Sequence, residues 1–173
     1  MCRAGQQNRS EGVPPSYAAE TQTDRDIVSP QVRSCMMAAV RQKDTKAEVA
    51  VRKILHALGI RYRIRNRDLP GSPDIANRTA KWAVFVNGCF WHGHKNCWKT
   101  KSTSSPRVPR THTAFWSEKL VANRARDARQ CRELRQLGYR VLIVWECSLA
   151  QTEALALRLS TFCAGGDGRR GFR

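Results

Sequence analysis

The chain has 173 residues, of which 41% are hydrophobic, and carries 31 Lys and Arg against 14 Asp and Glu. This length fits one domain with a buried core and excludes two large domains. The formal net charge of +17 is typical of proteins that neutralise phosphate groups, so we expect nucleic acid as the partner. Since no apolar run reaches the roughly 18 residues of a membrane span and no signal-peptide pattern opens the chain, we expect an intracellular protein.

The composition predicts three regions. Residues 1–27 are rich in Gln, Arg, Ser, Pro and Glu without an apolar period, which predicts a disordered arm. Residues 28–162 contain the periodic apolar segments and are predicted to form the domain. The Gly- and Arg-rich residues 163–173 are predicted to form a flexible tail.

Two helices are predicted at the start of the domain. Ser29 and Pro30 form a helix-start pattern, with the Ser as N-cap and the Pro in the first turn. The second helix begins at Thr45, whose hydroxyl can form a capping box with the carboxylate of Glu48. Apolar residues then recur at helical spacing until Gly59, which is typical of a helix end.

Four strands are predicted next. Residues 60–64 alternate apolar with basic side chains, which indicates a strand exposed on one face, and a Pro-Gly-Ser-Pro turn then leads into a short strand at Asp74. Residues 82–86 and 140–145 are apolar runs of strand length, which predicts buried strands with Trp82 and Trp145 in the core.

Two further helices are predicted over residues 114–137 and 152–162, the first of them ending at Gly138. Strands interleaved with helices predict an α/β fold in which a mixed sheet is sandwiched between helices. In such a sheet Asp74, the loop after the buried strand and Cys147 would converge at one edge.

The segment GCFWHGHKNC at residues 88–97 places two thiols and two imidazoles in one loop. Zinc prefers these ligands and takes four of them in structural sites, so a fourth must come from elsewhere. Cys147, which ends an apolar run, is the best candidate. The predicted zinc ligands are Cys89, His94, Cys97 and Cys147, although the spacing also allows His92 in place of His94. The remaining thiols are predicted to be free, namely Cys2, Cys35, Cys131 and Cys163.

Six motifs over residues 33–149 together resemble the very short patch repair (Vsr) endonuclease family. In chain order they are KDTKAE (43–48), LPGSPD (69–74), GCFWH (88–92), FW (115–116) with Lys119, Asn123 with RD (126–127), and VWEC (144–147). The resemblance implies a restriction-endonuclease-like fold. It also implies a Mg²⁺-dependent endonuclease that nicks one strand 5′ to the T of a T·G mismatch, the product of 5-methylcytosine deamination.

The resemblance also implies catalytic roles. Asp74 would bind Mg²⁺ together with the main-chain carbonyl of Val86, and His92 would act as general base with Asp127 as its acidic partner. Glu48 would lie at the active site.

Each acidic residue has a structural alternative. Asp74 would by itself be an ordinary turn residue, and Glu48 could serve only the capping box. Asp127 could instead form a salt bridge with Arg124 or Arg126.

Three aromatic residues suit insertion into a base stack. Phe90 and Trp91 lie in the Cys/His loop, and Trp116 follows a basic loop, so all three are expected to be exposed. Inserting a ring costs a few kcal/mol of unstacking, and this cost is lowest at a mismatch. Lys119 and Asn123 are implied as further DNA-binding residues.

Two other functions fit the same features. One is a non-catalytic, zinc-stapled DNA-binding module, and the other is a restriction-type nuclease that cuts both strands of paired DNA. The resemblance favours a monomer that binds double-stranded DNA with a T·G mismatch, with mismatch-repair proteins as further partners. It implies the bacterial cytoplasm, at the nucleoid, as its location.

Overall fold

The structure, a computed structural model, describes residues 43–165 together with Ser29, Gln31, Val32 and Cys35. The predicted arm, most of the predicted first helix and the tail beyond residue 165 lie outside the described residues. Gln31, Val32 and Cys35 are helical, and the Val32 N–H donates to Ser29 Oγ at 3.3 Å. This bond agrees with the predicted N-cap.

Helix α1 spans Lys46–Ala57 and begins with the predicted capping box. The Glu48 N–H donates to Thr45 Oγ1, and the Glu48 carboxylate accepts in return from the Thr45 N–H, so two otherwise unpaired amides are satisfied. The helix buries one stripe consisting of Ala47, Val51 and Leu55. It ends before Gly59, whose φ of 68° lies in the left-handed region that favours glycine.

The predicted strand at residues 60–64 is wrong. Only an isolated antiparallel bridge forms there, between Arg63 and Ala76. The chain turns away directly afterwards, because Arg65 adopts a φ of 60° and the buried Asn66 amide donates to the carbonyls of Arg63 and Pro73. An alternating pattern predicts a strand only where a partner runs alongside it.

The three remaining predicted strands are confirmed. β1 (Ile75–Asn77) pairs antiparallel with β2 (Trp82–Asn87), and β2 pairs parallel with β3 (Arg140–Trp145), so the sheet is mixed and has the order β1-β2-β3. Since β2 and β3 are parallel, both end at the same edge, which the start of β1 also reaches.

Helices cover both faces of this sheet, as predicted. α2 spans Thr113–Gln136, α3 spans Thr152–Cys163, and a short 3₁₀ helix, Glu146–Ala150, joins β3 to α3. One face packs against α1 and α3 through a large apolar cluster that includes Val51, Leu55, Trp82, Val84, Leu142, Val144, Leu155 and Leu159.

The opposite face packs a smaller cluster of Ala76, Ala83, Leu134 and Tyr139, to which α2 contributes Leu134. Burial of each large apolar side chain stabilises the fold by about 1.5–3 kcal/mol, so the first face holds the greater part of the core. α2 buries only Leu120, Cys131 and Leu134, and its other side chains remain available for function.

None of the described helices combines the length and the apolar character needed to cross a bilayer. Cys35, Cys131 and Cys163 are free thiols, as predicted, while Cys2 lies outside the described residues.

Candidate active site and metal cluster

A cluster of four potential metal ligands lies where β2 and β3 end. The Sγ atoms of Cys89, Cys97 and Cys147 and a ring nitrogen of His94 all lie within 4.8 Å of one another. His94 Nδ1 is 3.4 Å from Cys147 Sγ. A tetrahedral zinc with bonds of about 2.0–2.3 Å holds its ligand atoms about 3.3–3.8 Å apart, so the donor set fits this ion. The four side chains are the predicted set, and His92 lies outside it.

Backbone hydrogen bonds hold the Cys/His loop in shape. The His94 N–H donates to the carbonyl of Cys89 at 2.9 Å, and the Cys97 N–H donates to Ser102 Oγ at 3.1 Å. Ser102 Oγ in turn donates to the carbonyl of His94 at 2.7 Å. None of these three hydrogen bonds uses a ligand atom. The four ligand atoms can therefore point toward one common centre.

Trp145 packs against this cluster. Its ring stacks on the His94 imidazole with centroids 4.1 Å apart and planes 7° from parallel. The prediction of Trp145 as a core residue is therefore wrong, because the side chain is only partly buried. Trp82, by contrast, is 1% exposed and lies in the core as predicted.

Burial keeps most of the cluster protonated or neutral in the absence of a cation. It raises the pKa of the Cys89 and Cys147 thiols and lowers the pKa of His94. Burial also acts to raise the pKa of Cys97, but hydrogen bonds with the backbone and side chain of Thr100, with Cys89 and with the Lys99 backbone bring it below its usual value. Metal binding to this cluster would therefore release protons.

Asp74 lies at the same sheet edge, directly before β1. The N–H of Val86 donates to Asp74 Oδ2 at 2.7 Å. Burial nevertheless raises the pKa of Asp74 to about 6, and the nearby charge of Glu48 adds to this effect, while Val86 and His92 oppose it. A bound cation would remove this cost of ionisation, so the arrangement suits a metal ligand.

His92 and Asp127 form a close pair between the Cys/His loop and α2. His92 Nδ1 lies 2.5 Å from Asp127 Oδ2, and Arg126 Nη2 donates to Asp127 Oδ1 at 3.2 Å. Burial acts to raise the pKa of Asp127, but the hydrogen bonds with His92 and Arg126 hold it below its usual value. An ionised Asp127 accepts the proton of Nδ1 and leaves Nε2 as the acceptor nitrogen. Asp127 thus contacts both His92 and Arg126, but it forms no salt bridge with Arg124.

Glu48 is held by its own helix start. Its carboxylate accepts from Thr45 Oγ1 at 2.8 Å and from the Asp44 N–H at 3.1 Å, and the Arg52 guanidinium lies 3.7 Å away. The structure therefore places Glu48 in the capping role, close enough to Asp74 to raise the pKa of its carboxyl.

Phe90, Trp91 and Trp116 form one aromatic cluster with ring centroids 5.0–6.0 Å apart. The three rings are only partly exposed because they cover one another, which corrects the expectation that all would be exposed. Asn123 Nδ2 donates to the carbonyl of Trp91 at 2.9 Å and so ties α2 to the aromatic loop. Lys119 Nζ lies 5.4 Å from the centroid of the Phe115 ring.

Comparison with known proteins gives a family. Residues 25–99 match the family model of DNA mismatch endonuclease Vsr. The chain is 43% identical over 134 residues to the type II nicking enzyme V.XorIIP of Xanthomonas oryzae pv. oryzae, covering 78% of this chain and 93% of that protein. It is 38% identical over 145 residues to the DNA mismatch endonuclease Vsr of Escherichia coli, covering 81% and 88% of the two chains. The chain belongs to the Vsr family.

Membership of the Vsr family makes the chain a DNA endonuclease, and hence a hydrolase with DNA as its substrate.

Sequence reasoning missed two features of this Vsr chain. Phe115 is 56% exposed and extends the aromatic cluster through an edge contact with Trp116. Its position next to Trp116 in the sequence could have indicated that it belongs to the same aromatic cluster. Trp98 is 67% exposed although it follows the buried Cys97. The signal available in the sequence was the polar Lys99 and Thr100 directly after it.

Proposed function

We propose that this Vsr family member nicks one strand of duplex DNA 5′ to the T of a T·G mismatch and requires Mg²⁺. The observation that carries the proposal is the meeting of Asp74 with the His92–Asp127 pair at one sheet edge, beside an aromatic cluster. Curated relatives named as a mismatch endonuclease and as nicking enzymes support it.

Asp74 would hold the magnesium, with the main-chain carbonyl of Val86 and, after release from its cap, Glu48 as further partners. One or two carboxylates are usual for this ion, which keeps several of its waters. When bound, Mg²⁺ supplies a positive charge that stabilises the charge developing on the phosphate. The pKa of about 6 for Asp74 keeps the carboxyl largely ionised at neutral pH.

His92 would act as the general base. Its Nδ1 lies 2.5 Å from Asp127 Oδ2. With the Nδ1 proton donated to that carboxylate, Nε2 would accept a proton from the water that attacks the phosphorus. Asp127 would fix the tautomer and orientation of the imidazole and stabilise the imidazolium that forms. General-base assistance of this kind typically contributes about 10²–10⁴-fold to the rate.

The aromatic cluster would select the mismatch. Insertion of Phe90, Trp91 and Trp116 costs unstacking energy, and a mispaired step loses less than a paired one. Asn123 would position Trp91 through its carbonyl, and Lys119 would contact phosphate. Discrimination would therefore arise from the DNA's deformability as well as from contacts to base edges.

Zinc is the metal we propose for Cys89, His94, Cys97 and Cys147. The site would join the Cys/His loop to the end of β3, and so fix Phe90, Trp91 and His92 relative to the sheet. Because all four coordination positions come from protein, the ion would be structural and not catalytic.

Cleavage of strand-labelled duplexes tests the function. Three duplexes of the same sequence would differ at one pair, T·G, T·A or C·G, with each strand labelled in turn and Mg²⁺ added. We expect one nick, in the T strand of the T·G duplex, at its 5′ side. Cutting of both strands in paired DNA would indicate a restriction-type nuclease, and tight binding without any cut would indicate a non-catalytic module.

We also propose that the protein acts as a monomer at the bacterial nucleoid, with mismatch-repair proteins as further partners. Residues 28–162 would form the domain, with residues 1–27 as a disordered arm and residues 163–173 as a tail. Light scattering of the purified chain would test the monomer, since a dimer has twice the 19.6 kDa mass of the chain.

A further inference from the structure

An open cleft of about 900 Å³ lies between α2, β3 and the Cys/His loop. His92 and Asp127 belong to its lining, so the cleft borders the proposed catalytic pair. Its apolar lining comes from one side of α2 and from the end of β3, and includes Val121, Ala125, Ala128, Cys131, Ile143 and Trp145.

Three arginines of α2 line this cleft: Arg124, Arg132 and Arg135. Within residues 43–165 none of the three forms a salt bridge with a carboxylate. By contrast, Arg126 and Arg129 of the same helix do not line the cleft and pair with Asp127 and Glu133. The guanidinium groups along the cleft are thus available to a ligand with negative charge.

The length of the arginine row suits a chain of phosphates. Arg124 and Arg135 are separated by about 16 Å along the helix axis, at 1.5 Å per residue. A stacked DNA strand advances about 3.4 Å per nucleotide, so the row corresponds to four or five nucleotides. Arg is well suited to phosphate because its planar group can donate two parallel hydrogen bonds.

We propose that the cleft binds single-stranded DNA that leads away from the nick. A single strand offers two kinds of group. Its phosphates can pair with the arginines, and its base faces can pack against Trp145 and the aliphatic side chains. In a duplex the base faces are stacked on neighbouring base pairs and cannot contact these side chains. An acidic peptide has similar chemistry, but the shared residues His92 and Asp127 favour DNA. This inference rests on the proposed function, because the nick is what frees a strand end beside the cleft.

Binding of a short, fluorescent, 5′-phosphorylated oligonucleotide to the full chain tests the proposal. Arg132→Gln removes one charge inside the cleft, and Arg129→Gln removes one charge from the same helix outside it. We expect Arg132→Gln to weaken binding and to reduce the slope of log affinity against log salt by about 0.7, the value for one phosphate contact in a single strand. Arg129→Gln should leave the slope near that of the wild type.

Equal slopes in the two variants would overturn the proposal. It would also be overturned if a poly-glutamate peptide displaced the oligonucleotide at equal concentration and its binding depended on Arg132, since the cleft would then suit an acidic protein. Single-turnover nicking of the T·G duplex is measured on the same preparations. A wild-type protein that binds the oligonucleotide through Arg132 but does not nick would refute the proposed function and not the binding site.

Discussion

The Cys/His cluster and the Asp74 site lie at the same sheet edge but differ in how completely their side chains are already arranged to bind a cation. The four ligand atoms of the cluster already surround one centre, within 4.8 Å of one another. At the other site Glu48 is still engaged in its helix cap, and the pKa of Asp74 is raised to about 6. The difference indicates that the fold itself organises the cluster, while the proposed cation and DNA would complete the Asp74 site.

The two sites are built differently along the chain. Three residues of the cluster lie within nine positions of one loop, and parallel pairing of β2 with β3 brings Cys147 to them. The other site draws Asp74 from the start of β1, His92 from the loop and Asp127 from α2. Substitution should therefore affect folding at the cluster and chemistry at the Asp74 site.

Cys147→Ala should have the largest effect. Loss of one zinc ligand removes binding free energy that is also folding free energy, about 10–16 kcal/mol in small zinc domains. The variant should lose zinc, and unfold or aggregate. Cys131→Ala is the matched control, since this thiol is buried on α2 but lies outside the cluster. Metal content and thermal unfolding measure both, and similar behaviour of the two variants would contradict the assignment.

His92→Ala should reduce nicking by about 10²–10⁴-fold with the fold intact. Asp127→Asn should also slow nicking, because an amide can favour the wrong imidazole tautomer. Arg126→Gln removes the contact of Asp127 with Arg126 and keeps its contact with His92. We expect this variant to retain most of the nicking rate. Single-turnover rates on the T·G duplex provide the measurement. If Arg126→Gln were as slow as Asp127→Asn, the salt bridge would be the important contact.

Asp74 should make the Mg²⁺-free protein less stable as pH rises. Its pKa is about 6 in the folded state against a reference of 3.8, so between these values the folded protein holds a proton that the unfolded chain has lost. Stability then falls with rising pH through this window, by up to about 3 kcal/mol. Urea unfolding of zinc-loaded wild type and Asp74→Asn, from pH 4 to 7, should show curves that diverge. If the free energies of unfolding of the two proteins changed in parallel with pH, Asp74 would not be a buried carboxylate that lacks a neutralising charge.

Trp91→Ala should produce the smallest effect. Loss of one stacking ring is worth about 1–3 kcal/mol, and it should appear as a reduced ratio of T·G to T·A affinity at fixed salt. Trp98→Ala is the control, because Trp98 is exposed but makes none of the ring contacts of the aromatic cluster. An equal loss on both duplexes would assign Trp91 to folding.

Much of the fold followed from local pattern. The apolar runs of β2 and β3 and the capping box at Thr45 are signals that neighbouring residues carry by themselves, and the structure agrees with each. The predicted strand at residues 60–64 failed because pairing depends on distant residues, here the turn at Arg65 and the buried Asn66. Trp145 was misplaced for a similar reason, since its partner His94 comes from another segment.

The candidate site was less accessible to sequence reasoning. Residue chemistry and family resemblance named its members, but neither could indicate that Glu48 remains in its cap or that Asn123 bonds the carbonyl of Trp91. The cleft along α2 was also out of reach, because it depends on how the helix packs against β3. Such features follow from the relative placement of elements, which short-range patterns do not contain.

Zinc content of two histidine variants tests the central claim most directly. His92 and His94 are two residues apart, yet only His94 lies with the three thiols, while His92 contacts Asp127. We expect His92→Ala to retain one zinc per chain and lose nicking, and His94→Ala to lose zinc. Retention of zinc by His94→Ala, with its loss from His92→Ala, would contradict the account.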